Sequence, residues 1–178
     1  MDIQITPITT QDEKLYQFYT DVLTDSFPKE EYRNLDKIAY NTDNEEKFTS
    51  CVLTYGGNPV GIISYWDIDD YCYVEHFAIK KELRGSNYGG NSIRKFINHI
   101  SKNIILEVEL PVGIVEQKRI EFYKKIGFSL WSKDYKQPPY RNTDGYIDML
   151  IMCHGTLDEE KAFDIVKKGI YSVVYGIR

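Results

Sequence analysis

The segment LRGSNYGGNSI, residues 83–93, places three glycines and an asparagine around a tyrosine, between an apolar run and an amphipathic helical pattern. A strand that turns through glycines into a helix leaves backbone N–H groups unpaired at the positive end of the helix dipole. Glycine permits positive φ and close approach of a ligand, and asparagine tolerates the left-handed region better than most residues. The segment therefore predicts a cradle for a phosphate or pyrophosphate, or a tight connection without a ligand.

Two familiar phosphate-binding motifs do not fit this segment. A P-loop requires Lys and then Ser or Thr after its last glycine, whereas Gly90 is followed by Asn91. A dinucleotide fingerprint requires G-x-G-x-x-G in a parallel βαβ unit, with an acidic residue about 20 positions later, and neither the spacing nor the strand order matches. If the segment binds a phosphate, it does so as another type of loop.

The patterns around the glycines predict a mixed α/β fold. Upstream, the apolar runs 48–55 and 60–66 are joined by GGNP and predict a β-hairpin, and residues 71–79 predict a third antiparallel strand. Downstream, a helix should cross over to a parallel strand at 104–110. The other predicted elements are a strand-like start at residues 3–8, an N-terminal helix, a short helix at 35–40, a helix that Gly127 ends, late strands at 128–131 and 146–152, and a terminal helix around 162–166.

Length and composition predict one globular domain over residues 1–178, with 42% hydrophobic residues. The formal net charge of -5, without a basic stripe, argues against a nucleic-acid partner. The three cysteines are isolated and show no C-x-x-C spacing, so we predict buried thiols and no metal site. No leader-like or membrane-spanning pattern occurs, which predicts a cytoplasmic protein that does not bind a membrane.

Residues 84–89, read as R-x-x-G-x-G, resemble the acetyl-CoA pyrophosphate loop of the GNAT (Gcn5-related N-acetyltransferase) superfamily, with Asn87 at the first motif glycine. The stretch YVEHFAIKKELRG resembles the family's fourth strand, IILEVEL its fifth, and RIEFYKKIGF the following helix with its F-Y-x-x-x-G-F ending. The resemblance covers residues 56–128. It implies a GNAT-like, mostly antiparallel twisted sheet, flanked by helices and splayed between strands four and five.

The resemblance implies an N-acetyltransferase that moves an acetyl group from acetyl-CoA to a primary amine by direct attack in a ternary complex. The pantetheine arm would pair with the exposed edge of the fourth strand. The alternative is a CoA-binding sensor or scaffold without turnover. The cofactor-binding residues implied in this way are Phe77, Ala78, Ile79, Arg84, Gly85, Ser86, Asn87, Tyr88, Gly89 and Gly90.

Two catalytic residues follow from the same resemblance. Tyr123 occupies the position of the family tyrosine that reaches the CoA sulfur, although its helical position also suits an aromatic core residue. Because a phenol has a pKa near 10 and a thiol near 8.5, a hydrogen bond to the sulfur is the expected role. Glu75 is the candidate base, with His76 or a water relay as alternatives. Since neighbouring strand residues face opposite ways, Glu75 and His76 should not point at the same substrate.

The acceptor should be a small-molecule amine or a protein amine. Aromatic residues and the acidic balance favour a cationic amine, whereas Arg33 and Arg141 favour a carboxylated one. Glu107 and Glu109 share a strand face, either towards the cleft or at the surface. A homodimer is compatible with the sequence. The residues predicted around the acceptor are Phe27, Glu30, Tyr32, Arg33, Tyr135, Tyr140 and Arg141.

Overall fold

The computed structural model describes residues 2–177 and confirms a mixed α/β fold with mostly antiparallel strands and flanking helices. Short 3₁₀ turns lie at Lys29–Glu31 and Lys81–Leu83, and a π-helical segment lies at Ile170–Val174. The strands and helices are β1 (Ile3–Pro7), α1 (Glu13–Ser26), α2 (Leu35–Asn44), β2 (Phe48–Tyr55), β3 (Asn58–Ile68), β4 (Tyr71–Ile79), α3 (Tyr88–His99), β5 (Asn103–Glu109), α4 (Ile114–Lys124), β6 (Ser129–Leu130), β7 (Tyr135–Gln137), β8 (Ile147–His154) and α5 (Glu159–Gly169).

The described residues form two compact units that interleave along the chain. The first unit contains the residues up to Trp66 together with Val74–His99. The second contains Asp67–Tyr73 together with the residues from Ile100 onward.

The first unit contains the strand order β1-β2-β3-β4. β1 pairs with β2, and β2 with β3, both antiparallel. The loop between β2 and β3 consists of Gly56 and Gly57, with φ of 56° and 79°. Two consecutive positive φ values are typical of the type I′ turn that joins tightly paired strands. The predicted hairpin is therefore confirmed.

Helices α1 and α2 contribute to an apolar core in this unit. The buried residues Tyr19, Val22 and Leu23 recur at helical spacing in α1. A hydroxyl pair, Thr42 with Ser50 at 2.9 Å, joins α2 to β2. The core cluster consists of Ile8, Tyr19, Val22, Leu23, Ile38, Val52, Ile62 and Ala78.

The second unit is organised around β8. This strand pairs antiparallel with β5, and its other pairs are β6 and β7. The sequence did not predict β7, because three residues before two prolines are too few to show a strand period. Helix α5 begins after Asp158, whose carboxylate accepts a hydrogen bond from the Lys161 N–H at 3.2 Å.

The three cysteines are buried free thiols, as predicted. Burial raises the pKa of Cys51 to about 12 and that of Cys153 to about 11, so both stay protonated at neutral pH. Within residues 2–177, no helix has the length and apolar character needed to cross a membrane.

Candidate functional site

The glycine loop and the start of α3 present a run of backbone donors. Gly85 has φ of 84° and Asn87 has φ of 61°, and α3 begins at the next residue, Tyr88. Within residues 2–177, no main-chain hydrogen bond engages the N–H groups of residues 85–90. The first-turn N–H groups of a helix have no partner within that helix, and the left-handed residues before them turn the chain into it. Such a run of donors can hold an anion.

Asn87 and Gly90 fit each other at this turn. Asn87 occupies the left-handed region, which asparagine tolerates, so its replacement of the family glycine leaves the loop conformation accessible. Its carbonyl accepts from the N–H of Asn91 at 3.2 Å. Gly90 is buried, and a Cβ there would lie 2.8 Å from the Asn87 Oδ1. A larger residue at position 90 would therefore require the Asn87 side chain to move.

Arg84 ties the loop to the rest of its unit. Its Nε donates to the Ile79 carbonyl at 3.0 Å, and one terminal nitrogen donates to the Ser26 Oγ at 2.9 Å. These contacts join the end of β4 to the end of α1. Arg84 is exposed, so its charge remains accessible beside the donors of the loop.

The main chain of β4 is accessible at Glu75. The Glu75 side chain is only 1% exposed although the residue as a whole is partly exposed, so the accessible surface belongs to backbone atoms. Further along, Phe77 is half-buried, and Ala78 and Ile79 are buried. A Cβ on Gly61 of β3 would lie 2.5 Å from the Ala78 carbonyl, so only glycine allows this approach.

The Glu75 carboxylate forms a buried ion pair with Arg33. The two side chains are 1% and 8% exposed. The Trp66 Nε1 donates to the second carboxylate oxygen at 3.0 Å, and the Arg33 guanidinium lies 5.3 Å from the Trp66 ring centroid. Burial acts most strongly and would raise the pKa of Glu75, but Arg33, His76 and the hydrogen bond from Trp66 together outweigh it, so the pKa is lowered. Glu75 is therefore an ionised residue whose oxygens are already engaged.

His76 is buried in its neutral form. Its Nε2 lies 3.0 Å from the Glu31 carbonyl, which can only accept, so Nε2 carries the proton. Its Nδ1 then accepts from the Ser64 hydroxyl at 3.1 Å. Burial lowers the pKa of His76, and nearby Glu75 offsets part of this effect. Phe27 packs its ring edge against the imidazole, with centroids 5.0 Å apart.

Glu75 and His76 do not point in opposite directions as predicted. The Glu75 Oε2 lies 3.9 Å from the His76 Nδ1. These consecutive residues contact Trp66 and Ser64, which are two apart in β3 and hence lie on one face of that strand. Both side chains also contact the segment from Glu31 to Arg33. Two consecutive strand residues that face the same segment depart from regular pleating.

We expect His76 to make stability pH-dependent. Its folded-state pKa lies below the ordinary value of 6.5, so the unfolded chain binds more protons between these two values. The contribution of His76 to the free energy of unfolding should be fully present above about pH 6.5. It should fall as the pH drops, by at most about 1.4 kcal/mol per pH unit. His76→Gln should reduce this slope in urea unfolding at pH 5.5–7.5, whereas exposed His99→Gln should not. Equal slopes for wild type and His76→Gln would contradict this role.

Tyr123 lies in the second unit, on α4. It is buried, and its ring packs between those of Phe122 and Phe128, with centroids 5.1 and 5.4 Å away. Burial raises the pKa of Tyr123, so the phenol stays protonated at neutral pH. Within the described residues, no hydrogen bond engages its hydroxyl. The hydroxyl is therefore available to a ligand.

The end of α4 fixes the position of Tyr123. The Phe128 N–H donates to the Tyr123 carbonyl at 3.1 Å, and the Gly127 N–H donates to the Lys124 carbonyl at 3.0 Å. Gly127 has φ of 103°, and the two bonds form the Schellman pattern, which confirms that Gly127 ends the helix.

Gly127→Ala should lower the free energy of unfolding by about 1 kcal/mol, because alanine disfavours the positive φ. Chemical denaturation measures this loss. Gly145→Ala is the matched control, since its added Cβ would meet nothing within 4 Å and its φ is not positive, and it should change stability by less than about 0.5 kcal/mol. Equal effects of both variants would exclude a special role for Gly127.

The predicted acceptor residues divide between the two units. In the first, Arg33 is buried against Glu75, Phe27 packs on His76, Tyr32 packs against the core cluster and Glu30 is exposed. In the second, the Tyr135 hydroxyl donates to Glu107, and Arg141 pairs with Asp144 at 3.3 Å. Glu109 pairs with Arg119 at the surface. Both arginines that favoured a carboxylated substrate are therefore engaged with carboxylates of the chain.

Sequence reasoning missed several polar partners of these residues. Ser64 and Trp66 appear in the sequence only as members of a strand run. The Glu31 carbonyl carries no sequence signal at all. Gln137 is buried in β7 and hydrogen-bonded to Tyr175, and its place beside two prolines gave no sign of this.

Comparison with known proteins identifies the family. The model of the "Acetyltransferase (GNAT) family" matches residues 13–128. The chain belongs to the GNAT acetyltransferase family. As a GNAT protein it is an acetyl-CoA-dependent N-acetyltransferase, and the resemblance drawn from residues 56–128 is confirmed.

Solved structures support the same assignment. A GNAT-family protein from Bacteroides thetaiotaomicron, classed as a candidate acetyltransferase, is 40% identical with a TM-score of 0.96, over 98% of this chain and 99% of that one. A spermidine N-acetyltransferase chimera from Vibrio cholerae and hSSAT is 15% identical with a TM-score of 0.65, over 86% and 95%. Naa50 from Arabidopsis thaliana, solved with the bisubstrate analogue CoA-Ac-MVNAL, is 19% identical with a TM-score of 0.61, over 88% and 100%. The last two share the fold. Among curated proteins, none matches the sequence.

Proposed function

We propose that this GNAT protein transfers the acetyl group of acetyl-CoA directly to a primary amine, with residues 84–90 binding the cofactor's pyrophosphate. The observation that carries the proposal is the run of main-chain N–H groups at residues 85–90 that bond to nothing in the described chain. Each donor can bond a phosphate oxygen, and the α3 dipole favours the negative charge. Arg84 adds a positive charge beside them.

The pantetheine arm would bind along β4. Accessible backbone at Glu75 supports this, because an extended arm with amide groups can add to a strand through main-chain hydrogen bonds. We propose that Phe77, Ala78 and Ile79 continue this pairing. One of their N–H groups would stabilise the oxyanion that forms on the thioester carbonyl.

The reaction requires one bond to form and one to break. The neutral amine nitrogen attacks the thioester carbon, and the C–S bond breaks as the tetrahedral oxyanion collapses. We propose that the Tyr123 hydroxyl hydrogen-bonds the departing thiolate, because that hydroxyl has no other partner in the described chain. The thiolate needs no full proton transfer, since a thiol is more acidic than a phenol.

The amine's proton leaves by a water relay in this proposal. The Glu75 oxygens already accept from Arg33 and Trp66, and a lowered pKa makes Glu75 a weak proton acceptor. Both ring nitrogens of His76 are engaged as well. Glu75 then acts as a positioning residue that holds Arg33 and the local shape of β4.

The binding-only alternative depended on Asn87 replacing the family glycine. Because Asn87 already has the left-handed φ of 61°, no observation on the loop favours a module that has lost its activity. We therefore retain the enzyme as the single proposal.

Acetyl-CoA titration followed by an amine panel tests the proposal. Acetyl-CoA at about 100 times its Kd should add about 2.7 kcal/mol to the free energy of unfolding, and some primary amine should then release free thiol. Gly90→Val should weaken acetyl-CoA binding about tenfold, because it displaces the Asn87 side chain beside the N–H donors, whereas Gly145→Val should not. No thermal shift with acetyl-CoA, or binding without turnover across the panel, would refute it.

A further inference from the structure

Five tyrosines of the second unit lie close together and are called the tyrosine cluster. Tyr140 and Tyr175 have ring centroids 5.0 Å apart, and Tyr135 and Tyr171 have centroids 6.0 Å apart. Tyr73 is buried beside them, and nearby Tyr175, Tyr140 and Tyr135 add to the burial that raises its pKa. The cluster consists of Tyr73, Tyr135, Tyr140, Tyr171 and Tyr175.

Gln137 lies at the cluster with one half of its amide satisfied. Its Nε2 donates to the Tyr175 hydroxyl at 2.9 Å, and that hydroxyl donates to Tyr140 at 3.2 Å. The side-chain oxygen, Oε1, is buried and accepts no hydrogen bond within the described residues, and Gln137 as a whole is 4% exposed. A buried acceptor without a donor is rare in native proteins and calls for an explanation. A ligand N–H would supply the missing donor.

The Glu107 carboxylate at the cluster favours a cation over an anion. The Glu107 carboxylate accepts from Tyr135 and is one of the charges that raise the pKa of Tyr73. Arg141 is engaged with Asp144, with side chains 15% and 17% exposed. The faces of tyrosine rings attract cations as well, and the Lys167 Nζ already lies 5.5 Å from the Tyr171 ring centroid. An ammonium group offers N–H donors and positive charge together, whereas a carboxylate offers neither.

We propose that Gln137 and the tyrosine cluster bind the ammonium group of a cationic alkyl amine, with one N–H donated to the Gln137 Oε1. This inference rests on the proposed function in one respect only: it takes the bound ammonium group to belong to the acetyl acceptor. The binding site itself requires no turnover. Its recognition has two separable parts, the hydrogen bond to Oε1 and the attraction of the charge to the rings and Glu107.

The test is calorimetric titration of the protein, saturated with CoA, with butylamine and with butyltrimethylammonium, a cation without N–H groups. Wild type should bind butylamine at least about fivefold more tightly than the quaternary ion, because only butylamine can bond Oε1. Gln137→Leu should weaken butylamine about tenfold and leave the quaternary ion within about twofold. Gln4→Leu, an exposed strand glutamine of the first unit, is the control and should change neither affinity.

Gln137→Glu keeps an acceptor and adds a charge, so both cations should bind more tightly. It also keeps the proposal testable should the leucine variant not fold. Unchanged butylamine affinity in Gln137→Leu or Gln137→Glu would show that Oε1 does not bond the amine, and would overturn the site. Acetylation of a panel amine under that result would leave the proposed function standing. Conversely, Gln137-dependent binding of butylamine without any acetyl transfer would support the site while the proposed function fails.

Discussion

Replacing Arg33 with methionine should lower the free energy of unfolding at pH 7 by about 3–5 kcal/mol, a large fraction of a small domain's stability. Methionine has a similar length but leaves the Glu75 carboxylate, 1% exposed, without its guanidinium. Without Arg33, which lowers the pKa of Glu75 in the wild type, burial would raise that pKa. The Trp66 donor remains but carries no full charge. Urea denaturation measures the loss.

The stability loss in Arg33→Met should depend on pH and on the charge of Glu75. In wild type, Glu75 has a lowered pKa, so its contribution is present above the unfolded value of about 4.3 and is lost as the pH falls through the folded value. In Arg33→Met the penalty should shrink as acid protonates Glu75. Adding Glu75→Gln to Arg33→Met should restore part of the stability at pH 7, because no buried charge remains.

Arg119→Met is the matched control for this ion pair. Arg119 also pairs with a carboxylate, that of Glu109, but the two side chains are 42% and 28% exposed. Water screens such pairs, and the expected change is below about 1 kcal/mol. A similar small loss for Arg33→Met would show that the Glu75 pair is dispensable, and the positioning role assigned to Glu75 would be abandoned.

Tyr123→Phe should lower kcat about 100-fold, the size of effect that follows removal of one hydrogen-bond donor to a developing anion, with little change in KM for acetyl-CoA. Phenylalanine keeps the ring packing against Phe122 and Phe128 and removes only the hydroxyl. Since that hydroxyl has no partner within the described chain, the folded protein should lose little stability. Steady-state kinetics with an amine found in the panel measures the effect.

The control for this variant is Tyr146→Phe, which removes a hydroxyl from an exposed side chain and should leave kcat unchanged. Because burial raises the pKa of Tyr123, wild-type kcat should show no loss from tyrosine ionisation up to about pH 9. If Tyr123→Phe retains full kcat and stability, Tyr123 is an aromatic core residue and another group meets the sulfur.

Local patterns predicted the fold well where one segment carries its own geometry. The pair Gly56 and Gly57 forms the predicted hairpin turn, and Gly127 ends α4 because only glycine readily takes its positive φ. Asn87 in the glycine loop likewise has a positive φ. At these positions the backbone needs a positive φ, and the residue type alone indicates this.

The polar interior could not be predicted, because its contacts join residues far apart in the chain. Arg33 and Glu75 are 42 positions apart, and the sequence gives no sign that they meet. Gln137 and Tyr175 are 38 apart. The predicted alternation was also wrong at Glu75 and His76, because both side chains contact the segment from Glu31 to Arg33. Such tertiary contacts override local rules.

A structure of the protein with bound CoA would locate the diphosphate. We expect the diphosphate oxygens to lie about 2.7–3.2 Å from main-chain nitrogens of residues 85–90, and the pantetheine amides to pair with β4. A diphosphate held elsewhere, with those N–H groups still facing solvent, would show that residues 85–90 do not form the pyrophosphate site.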